Sequence, residues 1–144
     1  MKKTFPATLD QLYWMLQFVQ EHAKNAGFND NVASKIEVAM EEALVNVIKY
    51  AYPEHTQGTI EIDCNSDSQR STLEIVIRDS GGAFDPLKDA KPPSFNAPID
   101  EKPIGGYGIF LIQQIMDSVN YQRDGNYNVL TLVKKEAKVP LNLS

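Results

Sequence analysis

Glu42, Asn46 and Lys49 stand at i, i+4 and i+7 in the run Glu41-Glu42-Ala43-Leu44-Val45-Asn46-Val47-Ile48-Lys49-Tyr50. If that run is helical, a carboxylate, an amide and an ammonium share one stripe of its surface. Such a column could polarise a hydroxyl or a water, supply a metal ligand and touch a phosphate. Glu41 falls ~100° further around the helix and is left to solvent. A second group is Asp79, which closes an apolar run and is followed by Ser80-Gly81-Gly82. A carboxylate at a strand end can face a ligand amine while glycines turn the backbone sharply beneath it. The third is Gly105-Gly106-Tyr107-Gly108, which leads into Ile109-Phe110-Leu111-Ile112. Glycines entering a helix expose backbone N–H groups to an anion, and the helix dipole favours negative charge there. This run lacks the Gly-Lys-Ser/Thr of a Walker A loop, and no strand directly precedes it as in a dinucleotide-binding fingerprint. Each group also has an ordinary alternative: a solvated helix face, a plain turn, a glycine loop required only sterically.

The elements that must position these residues follow from periodicity. Leu9, Leu12, Tyr13, Leu16 and Val19 recur at three- and four-residue spacing, which predicts a helix from Leu9 to Ala26. Asp30 offers an N-cap for a second helix, about Asn31 to Tyr52, stopped by Pro53. Thr59 to Cys64 and Leu73 to Asp79 alternate as half-buried strands, with a turn across Asn65 to Ser71. Helical spacing returns over Ile109 to Asp117, and two strands, Ser118 to Arg123 and Asn128 to Lys134, close the chain around Asp124-Gly125-Asn126. Between Ser80 and Gly108 regularity is lost, and prolines 86, 92, 93, 98 and 103 interrupt the chain. An irregular segment this long inside a compact domain suits a functional lid, here about residues 82–104. The order predicts one α+β two-layer sandwich over residues 1–144, with helices on one face of a mixed, mostly antiparallel sheet.

Composition sets the limits. Hydrophobic residues are 42% and charged residues 23% of 144, an ordinary globular balance able to bury one core. The net charge of −5 argues against nucleic acid, because no cationic surplus exists to neutralise phosphates. No run of ~18 apolar residues predicts a membrane span. Cys64 is the only cysteine, so no internal disulfide can form and a reducing, cytoplasmic setting is expected. Trp14, Phe18 and Tyr13 read as core or as a partner surface.

Taken in order, E-x-x-x-N, then D-x-G at a strand end, then G-x-G opening a helix resembles the N, G1 and G2 boxes of the GHKL superfamily, whose ATP-binding domain has the Bergerat fold. The short length, the Phe84-Asp85-Pro86 after the glycines, the run Gly105 to Ile112 and the ending from Asp117 to Lys134 resemble its anti-sigma serine/threonine kinase branch, the RsbW- and SpoIIAB-like proteins. The resemblance implies ATP and Mg²⁺ as ligands, with Glu42 as the base that activates the attacking hydroxyl and Asn46 as the metal ligand. It places Asp79 on the adenine amino group, Gly81 beneath the base, and Gly105, Gly106 and Gly108 on the phosphate side. Thr131 would join the adenine pocket through a water. Two positions depart from the branch: Lys49-Tyr50 stands where a His is common, and Ile104 where an Arg is common. Lys49 and Tyr50 are therefore assigned to the phosphates and Lys102 to the lid cation. The resemblance further implies a homodimer that phosphorylates a STAS-type anti-sigma-factor antagonist and sequesters a sigma factor. The alternative is a nucleotide-sensing switch that binds a partner without transferring phosphate.

Overall fold

The structure, a computed structural model, describes residues 1–52, 56–89 and 106–136. Its strands are β1 (Lys2–Pro6), β2 (Thr59–Asp67), β3 (Thr72–Asp79), β4 (Ser118–Asp124) and β5 (Tyr127–Lys135). They form one sheet in the order β1-β2-β3-β5-β4, and every pairing is antiparallel. Three α-helices, α1 (Leu12–Asn25), α2 (Asp30–Tyr50) and α3 (Gly106–Ile115), accompany it. This is the α+β sandwich expected, at the fully antiparallel limit.

Alternation decides which face is covered. Ile60, Ile62 and Cys64 of β2, Leu73, Ile75 and Ile77 of β3, and Leu130 and Leu132 of β5 all point into the core. The helices bring Met15 and Val19, then Ile36, Met40 and Leu44, then Ile112 onto that row, each fully or almost fully buried. The opposite face of the strands mixes Glu61, Glu74, Arg78 and Thr131 with Val76, Val129 and Val133, and it carries no helix layer among the described residues. Cys64 is buried, and burial pushes its thiol up to about 12, so it packs as a small hydrophobe.

Several boundaries differ from the sequence expectation for identifiable reasons. β1 is an additional strand: only Phe5 faces the core, so no alternating pattern marks it, and Pro6 is tolerated because the strand lies at the sheet edge. Leu9–Gln11 forms a short 3-10 turn, so α1 starts three residues later than expected. Asn29, not Asp30, caps α2, its side chain accepting from Val32 N at 2.9 Å. β2 extends to Asp67, with Ser71 in the left-handed region at φ 50° on the far side of the turn. The β4–β5 turn needs Gly125, at φ 59°, as the first central residue of a two-residue hairpin. Tyr13 and Trp14 are exposed, whereas Phe18 of the same helix is buried. The expected lid, from residue 90 onward, lies outside the described residues, as do Lys102 and Gly105.

Leu44 has no exposed surface and sits between the two layers. Leu44→Ala should cost about 2–5 kcal/mol in urea unfolding at constant m-value, and Asn29→Ala about 1 kcal/mol. Equal small losses would show that the layer contact is not where the stability resides.

Candidate nucleotide site

The C-terminal end of α2 meets the end of β3, where Gly82 N–H donates to the Ala51 carbonyl at 2.9 Å. Among the described residues the buried polar side chains are His22, Asn46, Asp79 and Asn128. Asn46 and Asp79 belong to elements that carry the motifs, and Asn128 lies on β5 beside Asp79. Asn46 is 9% exposed, and its buried Nδ2 has no hydrogen-bond partner among the described residues. Such an orphan is costly unless something else arrives to satisfy it. The amide ends exchange by a simple flip, so Asn46 can offer a donor or a neutral oxygen ligand. Glu42, one turn earlier, lies against the first turn of α3. A Cβ placed on Gly108 would run into Glu42 Oε2 and come within 3.2 Å of its Cδ. A side chain at position 108 would displace the Glu42 carboxylate, so glycine there leaves that group against the first turn of α3, whose N-terminal end favours negative charge.

Asp79 ends the inward row of β3, where an apolar residue would otherwise stand. Its Oδ1 accepts from Gly81 N at 2.9 Å and from Asn128 Nδ2 at 2.9 Å. Its Oδ2 has no protein partner among the described residues. Burial raises the Asp79 pKa, while the bonds from Asn128 and Gly81 and the charge of Arg123 oppose the rise. The result is a carboxylate held by one oxygen and offered by the other.

Asn128 was not among the residues singled out from the sequence, yet it organises this end of the site. It is register partner to Asp79, donates also to Gly82 O at 2.8 Å, and accepts from Phe84 N at 3.1 Å and from the Tyr121 hydroxyl. Arg123 joins it, with NH1 donating to Asn128 Oδ1 at 3.2 Å and to Gly81 O at 2.9 Å. A sequence signal existed: Asn128, Leu130 and Leu132 alternate inward, which marks an Asn on the core face. The same alternation corrects Thr131. It lies on the other face of β5 from Asn128, opposite Val76 and Asn120, and does not share the Asp79 side.

The remaining expected residues are distributed as follows. Gly81 lies directly over the C-terminal end of α2, where an added Cβ would collide with the carbonyl of Ala51. Lys49 is exposed, and Tyr50 is exposed with its ring stacked on Phe84 at 5.5 Å between centroids. Gly106 is the first residue of α3. No cluster of three His, Cys, Asp or Glu that could hold a metal ion occurs among the described residues. A divalent ion here would therefore take most of its ligands from phosphates and water, with a single neutral contribution from Asn46.

The fold is an α+β two-layer sandwich that buries Asn46, Asp79 and Asn128 and opens α3 on a glycine. A family model described as a histidine kinase-like ATPase domain matches residues 5–134. The chain belongs to this histidine kinase-like ATPase family, with relatives among its serine-protein kinases. The serine/threonine-protein kinase BtrW of Bordetella bronchiseptica is 28% identical over 135 residues, covering 93% of this chain and 89% of that protein. The serine-protein kinase RsbW of Oceanobacillus iheyensis is 30% identical, covering 78% and 71%. RsbW of Listeria innocua is also 30% identical, covering 83% and 78%. The histidine kinase domain of the blue-light activated histidine kinase from Erythrobacter litoralis EL346 superposes with TM-score 0.51 at 14% identity. That match spans 85% of this chain and 60% of the other, and it shares the fold.

The raised pKa of Asp79 has a testable sign. An acid that holds its proton more tightly in the folded chain contributes stability that is complete below the ordinary carboxylate range. That contribution is lost as pH rises through the raised value. Asp79→Asn removes the titration while keeping an oxygen for Gly81 and Asn128. Urea midpoints of wild type should fall relative to Asp79→Asn as pH rises from about 4 to about 7. A difference that stays constant across that range would contradict the burial of the carboxylate.

Proposed function

We propose that this chain is an ATP-dependent protein serine/threonine kinase of the anti-sigma type. It acts in the cytoplasm as a homodimer, phosphorylates a serine of a small STAS-type antagonist, and sequesters a sigma factor when that antagonist is phosphorylated. The observation that carries the reading is the buried, unpartnered amide of Asn46, one helical turn from Glu42 and on the α2 stripe that meets the glycine start of α3. Relatives bearing serine-protein kinase names at 28–30% identity over most of the chain support the same class. Among the described residues no helix is long and apolar enough to cross a membrane.

Each residue then has a task. Asp79 Oδ2 accepts from the adenine amino group, and Gly81 lets the base lie against the backbone. Asn46 would hold Mg²⁺ by its amide oxygen, and the ion would supply charge neutralisation to the phosphates. The N-terminal turn of α3, with Gly105, Gly106 and Gly108, cradles the phosphates, and Lys102 and Lys49 supply cations around them. The serine oxygen bonds to the γ-phosphorus as the bond from that phosphorus to the bridging oxygen breaks. ADP leaves with the electron pair, and Glu42 takes the hydroxyl proton. The segment over 82–104 closes over the nucleotide and couples its presence to partner exchange.

One observation favours the switch without transfer. Glu42 lies against the first turn of α3, where an acid is stabilising even with no proton to accept. Glu42→Gln separates the two readings because it keeps the shape and removes the base. With labelled ATP, Mg²⁺ and a STAS-type protein as acceptor, wild type should label serine. The variant should bind nucleotide normally and transfer about 10²–10⁴-fold more slowly. Nucleotide binding with no labelling by wild type, and partner binding unaltered in the variant, leaves the switch as the function.

A further inference from the structure

Antiparallel register fixes what lies where on the sheet face that carries no helix layer. One row across the strands reads Lys2, Asp63, Val76, Thr131 and Asn120, from β1 through β2, β3 and β5 to β4. The adjoining row on one side reads Thr4, Glu61, Arg78, Val129 and Gln122. On the other side stand Asn65, Glu74, Val133 and Ser118. Val76, Val129 and Val133 are half-buried and make an apolar centre around Thr131. Charges of both signs flank it. Arg78 is held against the sheet by Tyr127, its guanidinium 5.7 Å from the ring centroid, so little of its side-chain freedom is left to lose on pairing. Among the described residues, Glu61, Glu74 and Arg78 are in no ion pair.

These rows match themselves under a two-fold axis. An isologous contact sets one patch on its own copy, so each pair of unlike positions occurs twice. An axis along the Val76–Thr131 row reverses the strand direction and keeps every strand over its own copy. Val76 and Thr131 then each meet themselves, Val129 meets Val133, and Arg78 meets Glu74. Glu61 faces the neutral Asn65, and Asp63 meets its copy with Lys2 beside it in the row. Stacked sheets pack ~10 Å apart with strand directions within ~30°, a gap that side chains of this length fill from both sides. The area also suffices. Five strands ~4.8 Å apart, overlapping over ~20 Å, give a flat footprint of roughly 500 Å² a side and roughly 1,000 Å² for two, where specific interfaces begin. We infer that the homodimer proposed above, on which this assignment rests, forms through this face, with Arg78 of each copy paired to Glu74 of the other. The chain carries a net charge of −5, so two copies repel unless they meet where the signs interleave, as they do here. Helices cover the opposite face, which leaves Asn46 and Asp79 open to nucleotide in the dimer.

Sedimentation equilibrium of the full chain over a range of concentrations reads the association directly. Wild type should dimerise. Arg78→Glu and Glu74→Arg each place two like-charged pairs across the axis and should weaken dimerisation by about tenfold or more. The double variant Arg78→Glu/Glu74→Arg restores both pairs with their signs exchanged, and its dimer constant should return to within about threefold of wild type. Thr131→Lys sets like charges face to face on the axis without touching either pair. It should also shift the chain to monomer, and it serves as a second probe if a charge reversal fails to fold. Wild type that stays monomeric overturns the homodimer and this face together. A dimer that neither Thr131→Lys nor the single reversals weaken overturns the face alone and leaves the homodimer standing. A double variant no tighter than the single reversals also overturns the assigned face.

Discussion

A hydrogen bond of 2.9 Å from Gly82 N–H to the carbonyl of Ala51 joins the last turn of α2 to the end of β3. It satisfies a carbonyl that a helix end leaves without an internal partner. The approach is possible only because position 81 has no side chain, since a Cβ there would occupy the space of that same carbonyl. Tyr52 tightens the junction: its hydroxyl accepts from Ser80 N at 3.0 Å and donates to Thr59 O, tying the helix end to both neighbouring strands. Everything polar in the site depends on this junction. It sets the helical stripe of Glu42 and Asn46 in fixed relation to Asp79, although the residues are more than thirty positions apart in the chain.

The junction also explains how a carboxylate survives at the end of an apolar row. Burying Asp79 among isoleucines is unfavourable, and burial is the leading cause of its raised pKa. Three compensations are supplied from different elements: the Gly81 amide from the turn, the Asn128 amide from β5 and the Arg123 charge from β4. None of them uses Oδ2. A residue present for stability alone would be replaced by a well-packed apolar side chain at little cost, or at a gain. The combination of expensive burial, partial compensation and a free acceptor is what a ligand-reading position requires.

Periodicity exposed most of this architecture in the sequence because the first two of the three helices and four of the five strands have one wet and one dry face. Asp79 and Gly81 were legible since an acid followed by glycines at the end of an alternating run is a local pattern. Asn46 was legible through its helical spacing from Glu42. What escaped depends on partners distant in sequence. β1 has one inward apolar residue, and its strand state comes from pairing with β2 about sixty residues later. Asn128 is an ordinary polar residue until the β3–β5 register sets it opposite Asp79. Thr131 was assigned to the adenine pocket by resemblance, and the two-residue period of β5 places it on the reverse face.

That reverse face gives β3 a double role. Its inward row ends in Asp79, and its outward row ends in Arg78 and then Ser80, so consecutive residues address opposite sides of the sheet. A strand in the middle of a five-stranded sheet, hydrogen-bonded on both edges, cannot shift one residue without disturbing its neighbours. Ser80 makes the link concrete. Its N–H is held by Tyr52 at the α2 junction, and its hydroxyl lies 3.5 Å from the same Tyr52 oxygen. The end of β3 is therefore held by the same bonds that set Asp79 and the helix terminus. The sheet is thin enough that its two faces share one set of backbone constraints, and β3 is where they meet.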